Sequence, residues 1–555
     1  MNRPGAAAVP TRTPRLVWLL LVIVVVVGGW LRFTHLAERG LLFFDEGCYV
    51  LSGRFLRGWW LQWMRHGYAA AQAYLAHPQQ WIGLPAVFAK PAHDWLLMVA
   101  MWWGGPSLLS ALRVMAMTST LSLVGIYWVG RRLFDPWIGL MAAAICAVSS
   151  YQLIYARSAL AEAGTMWWFL LAVALLLPAM SQRWPARWQS LASGVFGGIA
   201  FLSNYRLWML LPSLWLIEYL RWRARRSVKR QTLWRRWLLL AGGFIVTVVG
   251  WLVMDWCVMR SAAAPTETYA SQLLFRYLKH TKEGCSLAGW MTYPYLFALF
   301  DGRLVAIAAV VGIVGLPWQQ AWGGRAVGLI ALIVIGFFSV LQTHHARYIA
   351  VVLPFVALAA AWTMVEVVRW CLARWRMWRL QSAALTVVMA GLVLWRLPSA
   401  IAVTRMTTGY PRVLPTLERL APGDQRPVMA TQPYLLQVFG GRWYVAPPLP
   451  EQFRTWTRND ARFFVVDYQL AFGGFDEASA RVAQQLTQRL VPVAIIANPA
   501  GASCYVEVEH IHDLAITRRR LRDPGVRTAM GAILIYDLWQ LPEFASTAAS
   551  AASTP

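Results

Sequence analysis

One unit recurs through the first 400 residues of this chain: an apolar run of a dozen residues or more with at most one charge inside it, closed by arginines. Residues 16–31 lie between Arg15 and Arg32, residues 108–129 end in Arg131-Arg132, and residues 207–220 enter the basic stretch RWRARRSVKRQTLWRR at 221–236. A soluble core has no room for so many such runs, whereas helices that satisfy their own backbone groups suit a bilayer. Composition agrees. The chain is 58% hydrophobic and 14% charged, against roughly 45–50% and about 25% in soluble domains. A single water-soluble fold and a disordered chain are both excluded.

Basic clusters mark the cytoplasmic ends of spans. On that rule 16–31 runs outward, 108–129 inward, 137–150 outward, 165–180 inward, 191–202 outward and 207–220 inward. Then 237–254 runs outward, 304–318 inward, 326–341 outward, 349–365 inward and 383–395 outward, the second basic stretch RWCLARWRMWR falling at 369–379. About eleven spans are expected, with the short core of 16–31 extended by flanking arginines that snorkel to the interface. A cleaved signal peptide is the competing reading of 16–31, but no small-x-small cleavage site follows it. The expected layout is a cytoplasmic N-terminus (1–15), an all-α membrane domain (16–396) with outer loops at 33–94 and 255–303, and an extracytoplasmic domain (397–545). A low-complexity tail (546–555) is expected to be disordered. The layout implies a multi-pass protein of the cytoplasmic (inner) membrane.

The formal charge of +26 has to be placed before it is interpreted. Residues 423–555 carry twelve arginines and twelve carboxylates, so the whole excess lies in 1–422, between the spans. That pattern is positive-inside topology and attraction to membrane lipids rather than nucleic-acid binding. The acids behave differently. Glu38, Asp45, Glu46, Asp94, Glu162, Asp255, Glu267, Glu283, Asp301 and Glu418 fall on the expected outer side, against Asp135, Glu218 and Glu366 inside. Acids do little to set orientation, so their one-sided accumulation points to chemistry on the outer face.

Residues 397–545 read as a small α/β domain. Short β-rich runs (428–430, 462–467, 491–496, 504–511, 532–538) alternate with helical patterns such as 476–490. The six cysteines contain no CxxC pair, and pairing of Cys257 with Cys285 stays open. His344-His345 is a poor metal pair because adjacent side chains diverge, and His510, His512 and Asp513 read as an exposed strand end. Tryptophans at 59–81 are open to interfacial anchoring or to stacking on a sugar.

Asp45-Glu46, just after the first span, is the main candidate for chemistry. A carboxylate at the membrane surface suits a general base toward a hydroxyl or amine; an Asp at a helix start also suits an N-cap. The pattern Asp45, Glu46, Tyr49, Leu51, Arg54, Leu56, Gly58 resembles the first-loop signature of GT-C glycosyltransferases, most closely the protein O-mannosyltransferase and aminoarabinose-transferase group. Lys90-Pro91 is similar to that group's Lys-Pro-Pro, with Ala92 in place of the second Pro. Residues 111–134 resemble its second span, 156–172 the stretch that carries its second-loop acid, and 346–360 its Arg-Tyr…Pro-Phe span.

The resemblance implies a GT-C type membrane domain and transfer of a sugar from a polyprenyl-phosphate donor. The acceptor hydroxyl or amine, on a lipid, glycan or protein, would lie on the outer face, and the reaction would invert the anomeric carbon. It implies Asp45 as base, with Glu46 and Glu162 beside it, and Lys90 and Arg347 on the donor phosphate. Arg206 would stand in for a lysine that Ser203-Asn204 replaces. Tyr49, Arg54, His345 and Tyr348 are candidate substrate contacts. Interfacial anchoring is the competing reading of Lys90 and Arg347, and an ion pair with Arg157 that of Glu162. No DxD pair is present, which leaves a divalent metal open. A flippase for lipid-linked sugars and a non-catalytic lipid-binding relative are the rival functions, though no internal repeat of the kind many transporters show is visible.

Overall fold

The computed structural model describes residues 14–76, 90–177, 186–205, 208, 210–224, 230–260, 287–319, 321–341, 344–454, 460–468, 477–508, 511 and 513–542. Arg206, His510 and His512 lie outside them, as does the pairing of Cys257 with Cys285.

Every expected span falls on a helix, but not every one is long enough to cross a bilayer unaided. Six helical segments are long and apolar enough: Arg15–Phe33, Leu108–Leu133, Arg230–Met254, Trp322–Val340, Ala346–Arg374 and Trp378–Thr404. A seventh forms if Pro136–Val148 and Ser150–Ala156, bent by 65°, count as one. The remaining expected spans coincide with Glu162–Leu176, Ala186–Ser203, Leu210–Ala224 and Arg303–Gly315. Fifteen residues of helix, as in Glu162–Leu176, reach about 22 Å, short of a hydrocarbon core of about 30 Å. The count of eleven is therefore not reproduced by length and composition. The chain is an integral membrane protein on its six to seven qualifying helices.

The bend after Val148 has a local cause. Ser149 is extended, its Oγ accepts from Gln152 N (3.0 Å) to cap the next helix, and it donates to Asp301 Oδ2 (3.0 Å). At the other end of the first member of that pair, Asp135 caps the helix through Trp137 N and Ile138 N. Arg369 donates to the same carboxylate at 2.8 Å, which ties two expected cytoplasmic turns together.

Arg32 overturns one expectation. It does not snorkel: its side chain is fully buried and donates to Ser119 Oγ, Gln152 Oε1 and the carbonyls of Gly28, Cys146 and Ala147. Helical side chains point back toward the N-terminus, so an arginine at the end of this helix reaches down into the bundle.

The last spanning helix runs through Pro398 to Thr404, eight residues beyond the expected boundary at 396. The domain after it holds a five-stranded mixed sheet of β1 (Val428–Ala430), β2 (Tyr444–Val445), β3 (Phe463–Val466), β4 (Pro492–Ala497) and β5 (Ala532–Asp537), in the order β2-β1-β3-β5-β4. β1 pairs parallel with β2 and β3, and β5 pairs antiparallel with β3 and β4. Strand alternation splits its residues between two cores. Val428, Ala430, Phe463, Val465, Ile533 and Ile535 join the core of the membrane domain. Met429, Phe464, Val466 and Tyr536 pack with Val482 and Leu486 of the helix Glu477–Arg489. Four of the five expected strands form; 504–511 does not. There Cys504–Glu507 is a helical turn, and Ile511 makes an isolated antiparallel bridge with His344.

Candidate active site

Four segments meet at the start of the helix Phe44–His66. Its N-cap is Phe43, and no side chain of Asp45 caps it, so the cap reading of Asp45 fails. Asp45 and Glu46 are neighbours about 100° apart around the helix, and they have opposite surroundings.

Glu46 is fully buried. Its Oε1 accepts from Leu42 N (2.9 Å), Phe43 N (3.0 Å) and Arg39 Nη2 (3.1 Å), and its Oε2 from Arg39 Nη1 (2.9 Å) and Ala159 N (2.8 Å). A carboxylate with five donors is held in place on every side. Its geometry is that of an anchor joining the first loop to the 157–162 turn.

Asp45 keeps about a quarter of its side chain exposed, and its Oδ2 accepts a 2.6 Å hydrogen bond from Arg347 Nη1. Arg347 lies in the 3₁₀ segment Ala346–Val352. This segment is not free to drift. His344 N and O bond Ile511 O and N at 2.9 Å each, and Ala346 N donates to Val508 O. Strand-like pairing with the C-terminal domain thus fixes the chain just before Arg347. His345 and Tyr348 flank it, both buried, with ring centroids 4.3 Å apart.

One turn along from Asp45, Tyr49 lies on the same helix face. Lys90 Nζ sits 4.6 Å from the Tyr49 ring centroid and 4.0 Å from Glu162 Oε1, and both charged groups are buried. Lys90 is the N-cap residue of the helix Pro91–Gly104, with Pro at the first helical position where its missing N–H costs nothing. His93, on the next turn, packs edge-on against Tyr49 and donates from Nε2 to Ala159 O at 2.9 Å. Burial, and then the Lys90 charge, pushes the His93 imidazole down to about 3, so the ring is neutral at any working pH. Among the described residues, neither Glu162 oxygen nor His93 Nδ1 has a hydrogen-bond partner. Buried polar atoms are rarely left so, and here they collect in one place.

Several expected roles change. Arg157 does not pair with Glu162; its Nη1 donates to the carbonyls of Leu31, Arg32 and Thr34, and its Nη2 to Thr404 O. It closes the carbonyl ends of two spanning helices, where a cation is favoured by the helix dipole. Arg54 faces the C-terminal domain, donating to Val438 O (2.7 Å) and to Pro106 O (2.9 Å). Trp59, Trp60, Trp63, Trp95 and Trp251 pack edge to face on one another. Arg39, His93 and Arg157 were missed as site builders, because no local pattern ties them to residues far along the chain. No group of three or more His, Cys, Asp or Glu among the described residues is arranged to hold a metal ion.

The C-terminal domain also reaches the other half of the site. Tyr468 donates to Leu42 O at 2.6 Å, and Phe44 packs edge-on against Tyr434. A Cβ on Gly47 would lie 2.6 Å from Tyr434 O, so only glycine permits this approach.

Residues 77–251 match the model of the dolichyl-phosphate-mannose-protein mannosyltransferase family, a stretch that includes Lys90 and Glu162 but neither Asp45 nor Arg347. No curated protein sequence matches the chain. Among solved structures it is similar to ArnT from Cupriavidus metallidurans in the apo state, at 15% identity over 86% of this chain and 96% of that one, with a TM-score of 0.58. ArnT bound to undecaprenyl phosphate gives 15% identity, 87% and 97% coverage, and a TM-score of 0.57. The oligosaccharyltransferase AglB from Archaeoglobus fulgidus, in complex with an inhibitory peptide and a dolichol-phosphate, gives 11% identity, 95% and 75% coverage, and a TM-score of 0.53. The chain thus has the GT-C glycosyltransferase fold, and the likeness to that superfamily seen in the order of its motifs holds in both sequence and structure.

Proposed function

We propose that this protein is a glycosyltransferase that moves a sugar from a polyprenyl-phosphate donor to an acceptor hydroxyl or amine on the outer face of the inner membrane. The observation that carries this reading is the pairing of the part-exposed Asp45 carboxylate with Arg347, next to the buried Lys90–Glu162 pair with its unbonded oxygens. One anion able to take a proton and two cations able to meet a phosphate lie along the first turns of the helix Phe44–His66, Arg347 at Asp45 and Lys90 at Tyr49. Similar folds are recorded bound to undecaprenyl phosphate and to dolichol-phosphate, which supports a lipid phosphate as leaving group.

Asp45 takes the proton of the acceptor O–H or N–H. The acceptor attacks the anomeric carbon from the side opposite the lipid phosphate, which leaves with the electron pair of the broken C–O bond; the configuration inverts. Arg347 and Lys90 stabilise the charge that grows on the departing phosphate. Glu46 positions the helix that carries Asp45, Tyr49 packs on Lys90, and His345 and Tyr348 flank Arg347. All eleven apolar helices cross or enter the membrane, with residues 1–15 cytoplasmic and the domain after Thr404 outside. The test is sugar transfer from a polyprenyl-phosphate donor by the purified protein in reconstituted membranes. No transfer by the wild type from any such donor to lipid, glycan or peptide acceptors would remove the reading.

A further inference from the structure

Arg347 has two claims on it. The reading above gives it the donor phosphate, yet its Nη1 is held by Asp45 Oδ2 at 2.6 Å. Both ends of this contact are built in. Asp45 stands on a helix start fixed by the five donors to Glu46 and by Tyr468 at Leu42. Arg347 follows directly on the His344–Ile511 bridge and is itself buried. Two fixed backbones put carboxylate and guanidinium together, so the contact is not a chance meeting of flexible surface chains.

The chemistry of the two jobs conflicts. A carboxylate engaged by a guanidinium takes up a proton less readily, and a guanidinium neutralised by a carboxylate is a poorer partner for phosphate. A phosphate carries more charge and more acceptor oxygens than a carboxylate, and guanidinium matches it in geometry. We infer that Asp45 and Arg347 form a latch that the donor phosphate opens: the phosphate oxygens take Nη1 from Asp45, and the released carboxylate becomes the base for the acceptor. The inference rests on the proposed donor. It adds an order to the reaction, with lipid donor before acceptor, and it keeps Asp45 from activating an acceptor when no sugar is present to receive it.

The experiment measures binding of polyprenyl phosphate, without sugar, to four full-length proteins in detergent: wild type, Asp45→Asn, Arg347→Gln and the double variant. Thermal unfolding is followed in parallel. The latch predicts that Asp45→Asn binds roughly 5–30-fold more tightly than wild type, because a neutral amide oxygen holds Arg347 more weakly than the carboxylate and no longer cancels its charge. It predicts that the same change has at most about a twofold effect when Arg347 is already Gln. Equal affinity of wild type and Asp45→Asn overturns the latch. So does equal tightening in both backgrounds, which is plain repulsion between two anions. If the wild type binds no polyprenyl phosphate at all, the donor reading itself fails, a result separate from binding without coupling. An arginine variant that does not fold is replaced by Arg347→Met, which keeps an unbranched side chain without the cation, and the latch again predicts at most about a twofold effect of Asp45→Asn.

Discussion

Arg347 donates a 2.6 Å hydrogen bond to Asp45, 302 residues before it in the chain. The two sides of this pair reach it on separate elements, and the C-terminal domain holds both: Tyr468 at Leu42 on one side, Ile511 at His344 on the other. The C-terminal domain, which reads in sequence as a separate small α/β domain, is therefore part of the frame of the site.

Asp45→Asn separates chemistry from folding. Asn cannot take the acceptor's proton, but it still offers Arg347 a carbonyl oxygen. Turnover should fall by roughly 10²–10⁴-fold, with thermal unfolding nearly unchanged because Asp45 caps nothing. Sugar transfer and unfolding, measured on one preparation, decide it. Full activity would take Asp45 out of the mechanism.

Glu46→Ala should behave in the opposite way. It leaves Arg39, itself buried, without its carboxylate, and breaking one side of a buried pair costs about 3–5 kcal/mol. The expected result is a protein that unfolds at much lower temperature or fails to accumulate. A stable Glu46→Ala protein that is merely inactive would make Glu46 a chemical participant instead of an anchor.

Gly47→Ala tests the docking of the C-terminal domain. The added methyl meets the Tyr434 backbone, which cannot swing aside as a side chain can, and overpacking of this kind costs about 1–3 kcal/mol. Activity should fall with stability, and limited proteolysis should cleave the C-terminal domain more readily. Unchanged activity and cleavage would show that the contact does not matter to the site.

Lys90→Ala leaves Glu162 buried without its cation at 4.0 Å, so it should lose stability as well as donor affinity. The double variant Lys90→Ala/Glu162→Gln should recover much of the stability but none of the donor affinity. Recovery of both would assign the pair to structure alone.

A reporter fused after residue 230 should report cytoplasm, and one after residue 420 the outer side, as the arginine clusters require. Finding both on one side would move the site to the wrong face of the membrane.

The positions of the helices and the alternation of the sheet were legible along the chain, because each is a local periodicity of hydrophobicity. Asp45 was legible too, as one member of an acid pair after a span. Its difference from Glu46 was not: adjacent helical residues point about 100° apart, and only packing decides which one turns inward to Arg39 and Ala159 N. Arg32 and Arg157 show the same limit. In sequence Arg32 is a flanking charge expected to snorkel to the interface, and Arg157 an ion-pair partner for Glu162; in the fold both are buried on carbonyls of several helices. Sequence by itself marked the apolar segments and grouped most acids of the first 422 residues on the side expected to be outer. Tertiary structure decided which charges face one another, because pairs such as Asp45–Arg347 and Asp135–Arg369, 302 and 234 residues apart, leave no periodic trace in the chain.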